Sequence, residues 1–272
     1  MRIAILGGGT IARLFMEHIR RGDLGAGIEV AAICGRNAAS AGVPLAKEYG
    51  VPFVVGVDAL RTIKPDVVVE AASHDAVRAH LVDLLSAGIA VIVLSGGALV
   101  DDALRAAAEQ AAQANNALLY VPSGGIGSLD ALKAACIAGV DEVTIQVAKP
   151  PAAWKKIDFV ESLGVNLESL KEATVLFEGP AREGVPHFPQ NVNIAAVLSM
   201  AGIGFDRTRL RVVADPALTY NTHTIRIRGA SGNITIVLEN VPAPDNPKTA
   251  WLACYSALAA LKLTNSRVRY GT

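Results

Sequence analysis

Ten residues near the start of the chain, Ile3-Ala4-Ile5-Leu6-Gly7-Gly8-Gly9-Thr10-Ile11-Ala12, constrain its fold more than any others. They read as an apolar run, a glycine triplet and the opening of an amphipathic helix. Ile3, Ile5 and Leu6 suit a central parallel strand buried on both faces. A pyrophosphate needs backbone N–H groups at close range and the positive end of a helix, with no side chain in the way. Gly7 permits the sharp turn, Gly9 lets the backbone approach the phosphates, and Ala12 stands where a third glycine would let helix and strand pack. Thr10 and Ile11 open the helix whose N–H groups would face the phosphates. A G-x-G-x-x-A string recurs by chance in glycine-rich chains. Here strand, turn and helix follow in the required order, so the stretch reads as a dinucleotide clasp rather than a bare strand-to-helix turn.

The second strand, Ile28 to Cys34, ends in Cys34-Gly35-Arg36-Asn37. A site selective for NAD usually places Asp or Glu here to bond the ribose 2′-hydroxyl. This chain has an arginine instead, whose planar fork suits a 2′-phosphate. The expected cofactor is therefore NADP at least as readily as NAD; the alternative for Arg36 is a solvated loop arginine.

Strands at Phe53 to Val55, Asp66 to Ala71, Ile89 to Leu94 and Ala117 to Val121 alternate with helices, including His74 to Ala87 and Asp101 to Ala114. Strands of Val, Ile and Leu alternating with helices are the pattern of a parallel sheet covered on both faces. The loops after the strands, Ala72-Ser73-His74, Ser95-Gly96-Gly97-Ala98 and Pro122-Ser123-Gly124-Gly125, should line the cofactor cleft. His74 at a helix start reads as a polar surface group or cap before it reads as a catalyst, and His18, inside the first helix, is a weaker candidate still.

The bulk composition excludes several classes. With 272 residues, 51% apolar and 18% charged, the chain can bury a large core in two domains or one large one, and a subunit interface is a natural place for the surplus. The net charge is zero, which argues against nucleic-acid and membrane-surface partners and fits small neutral or anionic substrates. Cys34, Cys136 and Cys254 are odd in number and far apart, so neither a disulfide framework nor a metal site is expected. The uncharged run Leu84 to Val100 approaches the length of a membrane span, but its glycines divide it into helix end, turn, strand and loop. A strand beginning so soon after Met1 leaves no room for a leader, and a cytoplasmic location is expected.

Beyond residue 122 the texture changes. Val143 to Pro150 alternates with period two, putting Val143, Ile145, Val147 and Lys149 on one face. A lysine on an apolar face is expensive to bury without a partner, so an anion nearby is expected, either a structural carboxylate or a substrate. Strands at Thr174 to Phe177 and Arg209 to Val213 flank a helix expected from Pro189 to Gly202, with the amides of Gln190 and Asn191 at its start. Asn191 can donate to a carboxamide. In Thr219 to Arg228 the period places Thr224, Arg226 and Arg228 toward solvent, and Asn221, His223, Ile225 and Ile227 inward. His223 thus sits at the polar end of an apolar face, as a core histidine or a working one. Ile234 to Glu239 should pair with that strand. Asn246 is expected to cap a helix with Pro247 at its first position, continuing through a segment apolar nearly all round that must be covered on several sides.

These motifs together carry a resemblance. Pro122-Ser123-Gly124, Lys149-Pro150-Pro151 with Trp154, Phe177-Glu178-Gly179, Phe188 to Asn193, Ala214-Asp215-Pro216, Asn221-Thr222-His223 and Asn246-Pro247-Lys248-Thr249 resemble the L-aspartate dehydrogenase family over essentially the whole chain. The resemblance implies a Rossmann-type parallel-sheet domain plus a second α/β domain with a mainly antiparallel sheet, usually in a homodimer. Here these would span residues 1–122 and 123–245, with a helix in 246–272 packing back on the first domain. It implies NAD- or NADP-dependent oxidative deamination of L-aspartate to oxaloacetate and ammonia through iminoaspartate, an imine that can feed pyridine-nucleotide biosynthesis. It makes His223 the active-site histidine and Asn191 and Gly125 cofactor contacts. Lys149, Asn221, Lys248 and Thr249 become candidates for the substrate, the two lysines as carboxylate clamps, with Lys248 helped by a helix start. The family more often has Ala at 125, Ala-Gly at 127 and 128, and Ser at 250. The first two departures are expected to loosen the loop. Another small-substrate NADP oxidoreductase is the next reading, although the Glu-Lys-Pro of the sugar enzymes is missing where Ser95-Gly96-Gly97 stands. A non-catalytic NADP-binding sensor is the third.

If Arg36 holds a 2′-phosphate, Arg36→Ala should raise the KM for NADP while leaving that for NAD in place. Steady-state kinetics with both cofactors checks this, and an unselective loss would remove Arg36 from the site.

Overall fold

The computed structural model describes the chain except Gln190, Pro244, Asp245, Arg269, Gly271 and Thr272 and the side chains of residues 246–249. It divides into two compact units, one formed by Met1–Pro122 with Cys254–Tyr270, the other by Ser123–Ala253.

In the first unit the strands are β1 (Arg2–Leu6), β2 (Glu29–Gly35), β3 (Phe53–Val55), β4 (Val67–Glu70), β5 (Ala90–Val93) and β6 (Leu119–Tyr120). They alternate with helices α1 (Thr10–Arg21), α2 (Gly42–Tyr49), α3 (Asp58–Ile63), α4 (His74–Ser86) and α5 (Asp102–Ala114). The sheet order is β3-β2-β1-β4-β5-β6 and every pair is parallel. This is the doubly wound arrangement, whose ligand crevice lies where the order reverses, between β1 and β4. The segment after β5 forms a 3-10 turn, Gly96–Val100, rather than open loop.

The glycine triplet has a separate reason at each position. Gly7 has φ +119°, and a Cβ there would lie 2.4 Å from the carbonyl oxygen of Ala71. A Cβ on Gly8 would come within 2.1 Å of the Gly42 nitrogen, so Gly8 is required by packing against the start of α2. Gly9 caps α1 without a side-chain bond and meets nothing within 4 Å, leaving open space over the helix N-terminus.

The second unit holds α6 (Leu129–Ala138), β7 (Val140–Lys149), α7 (Asp158–Ser162), β8 (Thr174–Pro180), α8 (Ala181–His187), α9 (Asn193–Ala201), β9 (Thr208–Ala214), β10 (Asn221–Gly229), β11 (Gly232–Asn240), β12 (Pro242–Ala243) and β13 (Asn246–Ala250). Its main sheet runs β11-β10-β7-β9-β8, antiparallel except for the parallel β7–β9 pair. The burial of β7 and β10 follows the predicted period. Val143, Ile145, Val147 and Lys149, with Asn221, His223, Ile225 and Ile227, are all inside.

Two expectations fail at helix starts. The helix expected from Pro189 begins at Asn193, because the Asn191 and Val192 N–H groups donate instead to the Phe188 carbonyl. Gln190 lies outside the described residues. Asn246 does not cap a helix: Asn246–Ala250 is β13, paired antiparallel with β12, and α10 (Trp251–Thr264) starts four residues after the expected first position, Pro247. The proline-rich segment supplied, at Pro242–Ala243, the partner strand that a reading of local signals could not weigh. In the first unit, Ala257, Leu258, Ala260 and Leu261 of α10 pack into the core with Ile3, Ile5, Phe15 and Ile33.

The loop before α6 holds one residue in an uncommon backbone conformation. Ser128 takes φ +66° at the start of α6 and makes no capping bond. A left-handed conformation costs a non-glycine residue about 1 kcal/mol or more. Ser128→Gly should raise the urea unfolding midpoint by an amount equivalent to roughly 0.5–1 kcal/mol, and an unchanged or lower midpoint would show that the serine is not strained.

Candidate active site

The nucleotide end of the first unit is organised by a residue that sequence reading passed over. Glu70 is the last residue of β4, opposite Leu6 in the parallel ladder, and is 2% exposed. Its carboxylate accepts from the N–H of Ala72 at 2.8 Å, Leu94 at 3.2 Å and Ser95 at 2.9 Å, and from the Ser95 hydroxyl at 2.9 Å. Burial pushes its carboxyl above the usual range while these donors pull the other way. One side chain thus ties together the loops after β4 and β5, beside the crevice at which doubly wound sheets bind ligands. The signal available was a carboxylate ending the run Val67-Val68-Val69-Glu70, where an apolar strand should continue inward.

The glycine cradle fits a dinucleotide: Gly9 opens onto space at the N-terminus of a twelve-residue helix, and no side chain caps its first N–H groups. Thr10 and Ile11 are the first residues of that helix. Arg36 is exposed just past β2, with no described hydrogen bond or ion pair. Ser73, not His74, caps α4, its hydroxyl accepting from Ala76 N–H at 3.2 Å. The thiols of Cys34 and Cys254 are pushed up to about 11 by burial, which fits apolar packing rather than nucleophilic chemistry.

In the second unit the inner face of the sheet carries a buried polar cluster. Lys149, at the end of β7, is 2% exposed; its ammonium donates to Asn191 Oδ1 at 2.9 Å and lies 5.1 Å from the centre of the Trp154 ring. Trp154 is fixed by its indole N–H donating to the Val213 carbonyl at 3.0 Å and by an edge contact with Phe188. The neighbours of Lys149 therefore include an amide oxygen and an aromatic face. The bond to Asn191 also orients that amide.

On β10, His223 is 2% exposed and Asn221 1% exposed. His223 Nδ1 is 3.0 Å from the Gly125 carbonyl oxygen. A carbonyl only accepts, so Nδ1 carries the proton and Nε2 keeps its lone pair. Nε2 is buried without a hydrogen-bond partner, and so is Asn221 Nδ2, two residues away on the same face. Two orphaned polar atoms, one acceptor and one donor, mark a place where a polar ligand would be held. Gly125 approaches closely: a Cβ there would meet Ala250 Cβ at 3.0 Å and His223 Cε1 at 3.4 Å. The small residues at 125 and 250 are thus coupled, and glycine leaves the imidazole room. Lys248 and Thr249 lie on β13 rather than at a helix start, which removes the N-terminal assistance expected for Lys248; their side chains lie outside the described residues. No cluster of metal-ligating side chains occurs among the described residues.

Burial lowers the His223 pKa to about 4, the Gly125 carbonyl opposes this, and the Lys149 charge adds to it. The imidazole is neutral at physiological pH.

A parallel sheet ordered in this way and headed by a glycine clasp is the scaffold of the dinucleotide-binding dehydrogenases, and the first unit is of that class. Residues 7–122 match the family profile described as homoserine dehydrogenase, NAD binding domain, and residues 130–264 match that described as aspartate dehydrogenase, C-terminal. The chain is 40% identical to L-aspartate dehydrogenase of Methanosarcina acetivorans over 100% of both chains. It is 42% identical to L-aspartate dehydrogenase 2 of Bordetella pertussis over 99% of both. The solved aspartate dehydrogenase of Thermotoga maritima superposes with a TM-score of 0.75 at 29% identity, covering 100% of this chain and 99% of that one. The chain belongs to the L-aspartate dehydrogenase family.

Stability should carry the mark of His223. In the unfolded chain a histidine titrates near 6.5 and in the native state near 4, so between these values only the unfolded chain takes up the proton. The contribution is complete above about pH 6.5 and is lost as pH falls toward 4, by at most ~1.4 kcal/mol per pH unit. Urea midpoints at pH 7 and pH 5 should fall further for the wild type than for His223→Asn; equal falls would mean that the buried imidazole charges freely.

Proposed function

We propose that the chain catalyses the reversible oxidative deamination of L-aspartate, taking L-aspartate, water and NAD(P)+ to oxaloacetate, ammonium, NAD(P)H and a proton. The observation that carries this is the orphaned pair on β10, a neutral imidazole lone pair beside an amide donor, with a buried ammonium at the end of the adjacent strand.

Gly7, Gly9, Thr10 and Ile11 would hold the pyrophosphate, Arg36 a 2′-phosphate, and Asn191 and the Gly125 segment the nicotinamide end. When bound, the nicotinamide supplies the acceptor for the hydride leaving the substrate Cα, giving iminoaspartate. His223 Nε2 then takes a proton from the water that attacks the imine carbon and returns it to the departing amine; a neutral histidine can act in both senses. Asn221 Nδ2 donates to a substrate oxygen. Lys149 draws a carboxylate into a place where the surrounding protein, not water, screens its charge. Lys248 and Thr249 are proposed for the second carboxylate. The second unit thus supplies substrate binding and, with it, a homodimer contact, a reading supported by the family resemblance and the apolar composition. Three free cysteines support a reducing, cytoplasmic setting.

The test is absorbance at 340 nm with NAD or NADP against L-aspartate and a panel of amino and hydroxy acids. Turnover should require L-aspartate. His223→Ala should lower kcat by about 10² or more with cofactor affinity unchanged, and near-normal turnover in that variant would overturn the assignment.

A further inference from the structure

Asn240 is the one fully buried residue among the nine of β11, a strand whose apolar side chains Ile234, Ile236, Val237 and Leu238 are all at least partly exposed. An edge strand that buries an amide in preference to its hydrophobics is giving that amide a task, since burying a polar group is unfavourable unless it is bonded. Asn240 stands opposite Asn221 in the antiparallel ladder, diagonal to His223, which pairs with Leu238. Its Nδ2 donates to the Gly125 carbonyl at 2.9 Å and lies 3.1 Å from His223 Nδ1.

These three atoms favour one arrangement of protons. If Nδ1 were bare and accepted from Asn240 at 3.1 Å, its lone pair would also face the Gly125 oxygen at 3.0 Å, so that bond would be set against a repulsion. If the Asn240 amide were turned over, two oxygens would face each other at 2.9 Å. With Nδ1 protonated, the carbonyl uses its two lone pairs for the two donors, and the imidazole and amide are neighbours without being partners. Free histidine favours the proton on Nε2, so the opposite tautomer has to be imposed by its surroundings.

We propose that Asn240 is a positioning residue: by holding the Gly125 carbonyl, it keeps that oxygen aimed at His223 Nδ1 and leaves Nε2 as a bare lone pair toward the substrate. This rests on the assignment of His223 as the proton-handling group, but it makes a statement about the ligand-free protein that does not depend on which substrate is used. Among the described residues Lys149, at the end of the strand next to β10, is the charged group that acts on the imidazole, and it opposes protonation.

The experiment is nitrogen-15 NMR of the full-length protein labelled at histidine, with the His223 signals assigned by their loss in His223→Asn. At pH 7 the wild type should show a protonated Nδ1 and a bare Nε2. Asn240→Ala should give mixed tautomers and a fall in kcat of about tenfold with cofactor KM unchanged. Asn240→Asp should place a carboxylate beside Nδ1, favour the imidazolium, and move the acid limb of the kcat profile up by at least one pH unit. A wild-type spectrum with the proton on Nε2 would overturn the proposal even if L-aspartate is turned over. So would variants whose tautomer and pH profile match the wild type. Should the variants fail to fold, the wild-type spectrum decides. Loss of L-aspartate specificity with the tautomer intact would strike at the assigned substrate alone.

Discussion

A buried imidazole, a buried ammonium and three buried amides on one side of a five-stranded sheet must each find a partner, and the second unit is built to provide them. Transferring such groups out of water without compensation is unfavourable by several kcal/mol each. The compensation is specific: Lys149 has the oxygen of Asn191 and the face of Trp154, and His223 shares the Gly125 carbonyl with Asn240. What is left over is as informative as what is matched. His223 Nε2 and Asn221 Nδ2 have no bond, and they lie on one face of one strand. A core that needed only stability would have filled those positions with Val or Ile, as it does at Ile225 and Ile227.

The first unit solves a related problem at its own ligand-binding edge. Glu70 gathers the N–H groups of Ala72, Leu94 and Ser95, from the loops that follow two parallel strands, on one carboxylate. A rigid edge is thereby available to a ligand before any ligand arrives, which is the condition for binding without a large ordering penalty. The glycine triplet contributes differently at each position: two glycines are required by the protein's own packing, and only Gly9 faces open space.

Much of this was legible along the chain. The order of strand, glycine turn and helix, the alternation that followed, and the period-two patterns of Val143 to Lys149 and Asn221 to Arg228 stated which residues face inward, because a side chain's face depends only on its place in the local period. His223 and Lys149 stood out for the same reason, as polar residues on apolar faces. The helix expected at Asn246 failed because local signals were weighed without the competing strand: Asn-Pro is a good helix opening, but pairing with Pro242–Ala243 claimed the backbone first. Asn240 passed unnoticed because an asparagine at a strand end is ordinarily a turn residue.

The sequence by itself determined the parallel-sheet unit, its glycine clasp and the inward direction of His223, Asn221 and Lys149, since these follow from local period and backbone sterics. Only the tertiary structure decided the protonation of His223. Its partner, Gly125, is 98 residues away in the chain, and the amide that shares that carbonyl is 115 residues from it. No local pattern encodes such a meeting; it exists because β10 and β11 bring their side chains to the loop that precedes α6. The same holds for Glu70, whose acceptors are matched by donors in the loop after β5, 24 and 25 residues further on. Local sequence chose the faces, and the fold chose which atoms on those faces touch.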